Sequence, residues 1–546
     1  MRLLLTMLRN RDLARIESAW ATSSLGNWAF SILLALYAYR QGGTAAVALA
    51  LIVRMLPSGL AAPYAAMLAD RHPRQSVLLW SAVLRAASLL GAAAAAAAGS
   101  PFGLVLAFSA LFTIANTAHR PAQAALLPQL ARTPAELAAA DVCWNALDYA
   151  GFLLGSLLAG LLVGLVGLDL GFAVCAGAFG LVALILRGLP VDPRPVPLEA
   201  PSGGVAELAA GLSIVRSQPE IRPLIGLFTV NAVSQGIFDV LVVVAAIELL
   251  GLGESGAGWL NAAWGVGGVL GGVAAMALLG RGRIALGLAA GFAVAGAAFA
   301  AIGAWPKAAP ALLLMLIVGI GLALVEIGLL TLTQRLAADD VLGRVFGVQE
   351  TIEATSIALG SVVAATLVAL LGVGGAMIAA GAVLPVVAAL SFRRVASSRA
   401  GLPVPERAFG LIRGLPLFAP LPVAVLESLA LRLDERRYGA GEEIVVQGEA
   451  GDEFFVVSEG EVEVSVDGAV RSVQRPGGFF GEIALLWDVP RTATVTAVGP
   501  VVAMVIERDQ FIAGVASHAR CTGAAKAVAH DRLEDNARAA AIGAQS

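Results

Sequence analysis

The chain has 546 residues, of which 58% are hydrophobic and only 14% charged, and its mean hydropathy is +0.83. Soluble domains are about half apolar and one quarter charged, so this composition excludes an ordinary soluble enzyme and a disordered chain. A formal net charge of −3 supplies no global positive field for nucleic acid, and three scattered cysteines (Cys143, Cys175, Cys521) make neither a disulfide framework nor a zinc site.

The long apolar runs lie before about residue 400. A membrane-crossing helix needs roughly 20 apolar residues. Twelve such segments are expected, at about 16–38, 45–68, 76–98, 101–118, 143–165, 167–187, 225–249, 256–279, 284–304, 310–331, 347–369 and 372–392. The start, MRLLLTMLRNRDLAR, has a short apolar stretch followed by charge, and no cleavable signal peptide is expected there. Alternating the spans puts nineteen connecting Lys and Arg residues on one side and only Arg40 and Lys307 on the other. That asymmetry predicts a multi-pass protein of the inner or plasma membrane with both termini in the cytoplasm.

The longest connection divides the spans six and six, as in two-halved secondary transporters. The expected organisation is an N-terminal six-helix half over 1–187, a cytoplasmic loop over 188–222, a second half over 223–400 and a cytoplasmic domain over 401–546. Between the second and third spans stands Leu68-Ala69-Asp70-Arg71-His72-Pro73-Arg74. This resembles the loop signature of the major facilitator superfamily, with Ala66 and Pro73 in place of its two glycines and Gln75 in place of a common basic residue. NRDLARIESAWATSSLGNWAF, RMLPSGLAAP and QRLAADDVLGRVFGV resemble the drug- and siderophore-exporter branch of the same superfamily. The resemblance implies that Asp70, Arg71 and Arg74 form a cytoplasmic latch holding one face of the carrier shut. Simple anchoring of a positive-inside loop is the rival reading.

Seven charged residues lie three or more residues inside the ends of the expected spans: Arg54, Arg85, Asp148, Asp239, Glu326, Glu350 and Glu353. Charges in lipid are costly and face a bundle interior or a cavity. Five acids cannot all pair with two arginines. An acid that takes a proton on one side and releases it on the other is the minimum device for proton-coupled transport. Arg54, Asp148, Asp239, Glu326 and Glu353 are the transport and coupling candidates, with Asp239 and Glu326 foremost and Arg54 as partner or substrate contact. The alternative for each is an ion pair holding the bundle together. Gly151 with Gly155, and Gly268 with Gly272, have the four-residue spacing that lets helices approach closely.

Residues 402–546 carry 13 basic and 20 acidic residues, a net −7. Short runs rich in Val and Phe, bounded by Gly, Asp or Pro, predict a β-roll over about 443–507 with helices before and after it. The fold class is therefore an all-α, twelve-helix membrane bundle in two halves plus a small C-terminal α+β domain with a β-roll. Phe480-Gly481-Glu482-Ile483-Ala484-Leu485-Leu486 followed by Pro490-Arg491-Thr492-Ala493-Thr494-Val495 resembles the phosphate-binding cassette of cyclic nucleotide-binding domains. The resemblance covers roughly 415–515 and includes Gly439-Ala440-Gly441-Glu442, Gly451-Asp452-Glu453-Phe454 and Gly460.

The residue types suit a cyclic phosphate. Gly481 admits close backbone approach, amide N–H groups open the following helix, and Arg491 offers a fork of donors. The resemblance implies that Glu482 binds the ribose 2′-hydroxyl and Arg491 the exocyclic oxygens, assisted by the backbone of Ile483 and Ala484, with Thr492 and Ala493 completing the cassette. A hydroxyl at Thr492 reaches the 2-amino group of a syn guanine, so cAMP is the first expectation and cGMP stays open. Four histidines without partners in sequence and the absence of a phosphate-binding Gly-Lys-Ser/Thr loop predict no catalytic or metal site, no resident cofactor and no ATP-driven transport. The expected partners are a small-molecule substrate, a cyclic nucleotide and the lipid bilayer, with no nucleic acid. The expectation is an ion-driven exporter regulated by its tail. The alternative is a non-transporting receptor built on a transporter-like bundle.

Overall fold

The computed structural model describes residues 10–130, 134–189, 221–279, 284–336, 339–396, 405–418 and 429–516, with Ser213, Arg216, Leu421 and Leu426. The expected central loop, apart from its ends, Ser213 and Arg216, and the expected helix beyond Ala516 lie outside them. The chain divides into two compact units. One comprises residues 1–280, 285–329 and 344–394; the other comprises 281–284, 330–343 and 395–546.

The first unit is helical. Its elements are α1 (Arg11–Arg71), α2 (Arg74–Ala97), α3 (Phe102–Thr117), α4 (His119–Leu130), α5 (Pro134–Leu165), α6 (Gly167–Leu186), α7 (Ile221–Val244), α8 (Gly253–Leu279), α9 (Ile284–Ala304), α10 (Ala308–Leu336) and α11 (Asp339–Ala396), the last two ending or beginning in the second unit. Among the described residues nine helical stretches are long and apolar enough to cross a membrane. The two longest are not straight. α1 breaks at Gly42–Gly43, with Gly43 at φ 61°, and α11 breaks at Gly372, φ 71°. The first break falls in the gap expected between the first and second spans, and the second falls on the first residue of the last expected span. Asn10 caps α1: its Oδ1 accepts from the Asp12 and Leu13 amides while its Nδ2 donates to Glu136 and to the Leu130 carbonyl.

Buried polar groups in the first half bind helix to helix. Arg85 is fully buried, donates to Ser23, Asn116, the Ser81 carbonyl and Nδ1 of His119, and lies on the Phe179 ring. Its donors are spent on neutral acceptors, so it fastens α2 to its neighbours. Gln75, the departure from the loop signature, donates to the Leu186 and Leu189 carbonyls and so satisfies the open end of α6. Gly151 and Gly155 do lie against α1: a Cβ on Gly155 would come within 2.7 Å of the Leu25 carbonyl oxygen. The expected pair Gly268/Gly272 makes no such approach. It is Gly267 and Gly271, one residue earlier, that meet the α10 backbone, because helix rotation is invisible in spacing alone.

The second unit holds α12 (Glu406–Arg413) and an eight-stranded roll: β1 (Asp434–Tyr438), β2 (Glu443–Val445), β3 (Glu453–Glu459), β4 (Val462–Val466), β5 (Ala469–Gln474), β6 (Phe479–Phe480), β7 (Thr494–Ala497) and β8 (Val501–Glu507). Helix α13 (Glu482–Trp487) interrupts β6 and β7, and α14 (Arg508–Ala516) follows β8. The strands form two antiparallel sheets, ordered β1-β8-β3-β6 and β2-β7-β4-β5. Side chains alternate along β3. Phe455 and Val457 join the core between the sheets, with Val445, Val462, Phe480 and Val495. Phe454 and Val456 join a second core with Ile412, Phe418, Leu485 and Phe511. Both faces of β3 are therefore buried, which fixes its register and hence the level of the loop that precedes it.

Candidate functional sites: a nucleotide pocket and a cavity between the halves

Gly481 turns the chain from β6 into α13 at φ 92°, a left-handed conformation that a side chain strains. The next residue, Glu482, is 1% exposed and Arg491 is 8% exposed. Arg491 is fixed on every side. Its amide donates to the Glu449 carbonyl and its carbonyl accepts from Gly448. Its Nη1 donates to the Gly481 carbonyl at 3.2 Å and its Nη2 to the Glu453 carbonyl at 2.8 Å, while the guanidinium lies 5.7 Å from the Phe455 ring centre. A Cβ on Gly451 would fall 2.1 Å from its Nε, and one on Gly481 would fall 2.6 Å from its Nη1. Two glycines are needed for one arginine. Burial pulls the Arg491 guanidinium below its ordinary pKa, and the carboxylates of Glu453, Asp452 and Glu482 oppose that pull.

All seven cassette residues, Gly481, Glu482, Ile483, Ala484, Arg491, Thr492 and Ala493, line one cavity of about 330 Å³. Its far wall is the β4–β5 hairpin, with Val464, Arg471, Ser472 and Gln474. Sequence reasoning missed Arg471. The β4–β5 register pairs Val464 with Ser472 and Ser465 with Val470, so Arg471 is the extra residue of a β-bulge. Bulges re-aim side chains. The Nε of Arg471 is buried without a hydrogen-bond partner among the described residues.

In the first unit a second cavity, about 250 Å³, lies between the two expected halves. It brings together three of the five transport candidates: Arg54 from α1, Asp239 from α7 and Glu353 from α11, beside Trp28, Gln235 and Asn261. Arg54 donates to Ser31. Glu326 lines an adjoining cavity of about 70 Å³ that shares Phe152 and Gln235 with the first, and accepts from the Tyr149 hydroxyl at 3.4 Å. Asp148 accepts from Ser24 Oγ at 2.8 Å instead. Arg120, which the sequence placed in a loop, lines the larger cavity and pairs with Glu350 at 3.2 Å. Of the expected latch, Asp70 and Arg71 close α1 with side chains outside the described residues, and Arg74 opens α2.

The family model of the Major Facilitator Superfamily matches residues 19–361, and the chain belongs to that superfamily. The model of the cyclic nucleotide-binding domain matches residues 435–518. A solved POT family transporter, in complex with a thioalcohol-conjugated peptide, superposes with a TM-score of 0.57 at 16% identity over 70% of this chain and 95% of that one, a likeness of fold. The tail is similar to a cAMP-dependent protein kinase regulatory subunit of Yarrowia lipolytica, 39% identical over 95 residues, 17% of this chain and 25% of the relative. It is also similar to the cGMP-dependent protein kinase egl-4 of Caenorhabditis elegans, 43% identical over 77 residues, 14% of this chain and 10% of the relative. The chain thus spans a quarter or less of these curated relatives and shares one domain with them. It joins a transporter domain of the Major Facilitator Superfamily to a cyclic nucleotide-binding domain.

Proposed function

We propose that this chain is a secondary active transporter of a small molecule, an exporter driven by a proton or other ion gradient, and that cyclic nucleotide binding to its tail regulates it. The observation that carries the reading is the presence in one chain of a charged cavity between two helical halves and a separate pocket that holds Arg491 over the Gly481 turn. The positive-inside asymmetry supports twelve spans, two six-helix halves and cytoplasmic termini in the inner or plasma membrane. Asp239, Glu326 and Glu353 are the proton-coupling carboxylates, Arg54 contacts substrate or its counter-charge, and Asp70, Arg71 and Arg74 latch the cytoplasmic face. The chain does no covalent chemistry and carries no resident cofactor.

In the pocket, a cyclic phosphate takes the Arg491 donors that now point at the Gly481 and Glu453 carbonyls, and Glu482 accepts from the ribose 2′-hydroxyl. Guanine presents two acceptors, O6 and N7, where adenine presents one acceptor and a donor. The bulged Arg471, with a donor unspent, supports cGMP, whereas the sequence alone put cAMP first. A ligand that favours one state of the tail biases the carrier only by its differential affinity for that state.

Calorimetric titration of the full-length protein with cAMP and with cGMP tests the sensor. Saturable binding is expected, lost in Arg491→Ala; no binding to folded protein overturns nucleotide regulation and leaves a carrier. The altered loop glycines, Ala66 and Pro73, keep a receptor reading in play. Proteoliposome flux across a substrate panel separates the two. Asp239→Asn is expected to abolish gradient-driven flux while leaving nucleotide binding intact, and binding of a panel compound without flux in the unaltered chain establishes the receptor.

A further inference from the structure

Two arginines line the nucleotide pocket from different walls: Arg491 over the Gly481 turn, and Arg471 on the β4–β5 hairpin. The first wall is held from every side, and the second is not. The ladder from the hairpin to β7 ends at Ser465–Thr494, and β5, which carries Arg471, pairs with β4 alone among the described strands. Beyond Ser465 the hairpin runs on through Val466, turns at Asp467-Gly468 and returns at Ala469. Both turn residues are left-handed, φ 51° and 77°, as a two-residue type I′ turn requires. The tip thus overhangs the sheet, and the bulge that carries Arg471 sits where the overhang begins, so a tilt of the tip moves Arg471.

Gln447 spans the gap between the walls. Its amide donates to Thr494 Oγ1 at 3.0 Å, and the amide of the next residue, Gly448, donates to the Arg491 carbonyl at 2.9 Å. Its main chain therefore belongs to the wall that holds Arg491. Its side chain belongs to the other. Nε2 donates to Asp467 Oδ1 at 3.0 Å, and Oε1 accepts from the Asp467 amide at 2.9 Å. A side-chain amide bonded through both its atoms to one residue fixes distance and orientation together. The Asp467 amide lies in the turn, outside the ladder, so this bond costs the hairpin no strand pairing. Neither Gln447 nor Asp467 is among the residues lining the pocket.

We propose that Gln447 is a positioning residue that sets how far Arg471 stands from Arg491, and that this strap governs which cyclic nucleotide the pocket prefers. The 3′,5′ ring fixes the phosphate on the ribose. With the phosphate at Arg491, the span between the two arginines decides how Arg471 meets the base. The proposal rests on the sensor reading, in which Arg491 takes the phosphate and Arg471 faces guanine.

The test is paired calorimetric titration of the full-length chain with cAMP and with cGMP. Gln447→Ala is expected to weaken cGMP binding about fivefold, the worth of a hydrogen bond partly in water, and cAMP binding by less than about twofold. In an Arg471→Ala chain the same substitution should change neither. Gln447→Glu sets a carboxylate against Asp467 and should weaken cGMP binding at least as much. Combined with Asp467→Asn, whose Nδ2 donates where Asp467 accepted, it re-forms both bonds with the roles exchanged, and cGMP binding should recover. Asp467→Ala, at an exposed turn position, serves should the Gln447 variants fail to fold.

A merely structural role would weaken both nucleotides alike and would persist without Arg471. Unchanged binding in Gln447→Ala, equal losses for the two nucleotides, a loss that persists in the Arg471→Ala chain, or an exchanged pair no better than Gln447→Glu overturns the strap. No binding by the folded, unaltered chain overturns the sensor reading and the strap with it. Binding in which the Gln447 and Arg471 losses simply add overturns the strap alone.

Discussion

The two cavities are built in opposite ways. The pocket in the tail takes its cassette from thirteen consecutive positions, 481–493, and one loop, 448–453, that holds Arg491 by its main chain. The cavity in the membrane domain draws Trp28, Arg54, Arg120, Asp239, Asn261 and Glu353 from five helices spread over more than three hundred residues. In the first, backbone geometry places the charge; in the second, helix rotation and tilt do. A local site survives as a motif in a single sequence, because its contacts are its neighbours. A distributed site leaves only costly residues in apolar runs, whose partners are set by packing.

The sharpest way to break this contrast is to move Arg491 without touching it. Gly451→Ala puts a methyl group where the guanidinium lies, 2.1 Å from Nε, though Gly451 is not among the residues lining the pocket. Loss of well-aligned charged hydrogen bonds to a phosphate corresponds to about 3 kcal/mol, roughly a hundredfold in Kd. Nucleotide binding by the full-length Gly451→Ala chain is therefore expected to weaken by about that factor, nearly as much as in Arg491→Ala. A Kd within threefold of the unaltered chain would show that Arg491 adapts freely and that the backbone does not place it.

The cassette was legible because Gly481, Glu482 and Arg491 each have a role that neighbouring residues cannot fill: a left-handed turn, a buried acceptor, a forked donor. The breaks at Gly43 and Gly372 were legible too, since hydropathy falls where the helix must turn back. Arg471 was not. Alternation along β5 predicts which side chains share a face only while the ladder is regular, and the bulge between Val464 and Ser465 inserts the residue that matters. Nor was the pairing of Tyr149 with Glu326 or Arg120 with Glu350 legible. Each joins residues about 180 or 230 positions apart, and no spacing rule spans two helices.

Arg471 sharpens the contrast from within the tail, as the part of the pocket that is not local to the cassette. Its truncation removes donors from the hairpin wall but leaves the Gly481–Arg491 frame intact. Arg471→Ala is expected to weaken cGMP binding about tenfold, the discrimination of one bidentate contact to a base edge, and cAMP binding by less. Equal losses for both nucleotides in paired titrations would assign Arg471 to the phosphate or to general field rather than to the base.

The smallest effect is expected at Arg436, and it isolates side chain from backbone at a single residue. Glu453 serves both arginines: its carboxylate accepts from Arg436 at 2.5 and 2.9 Å, while its carbonyl accepts from Arg491 at 2.8 Å. The Arg436 side chain is 44% exposed, so the pair is screened by water and worth at most about 1 kcal/mol. The carbonyl, by contrast, is held by β3, which pairs with β8 from Glu453–Glu507 onward and carries Phe454 and Phe455 into separate cores. Arg436→Ala should therefore lower the tail's stability slightly and leave the Kd for nucleotide within about twofold. A larger loss in titration would mean that the Glu453 carboxylate, and not the strand, keeps the carbonyl aimed at Arg491, and the pocket would then depend on its surface charges as the membrane cavity depends on its distant helices.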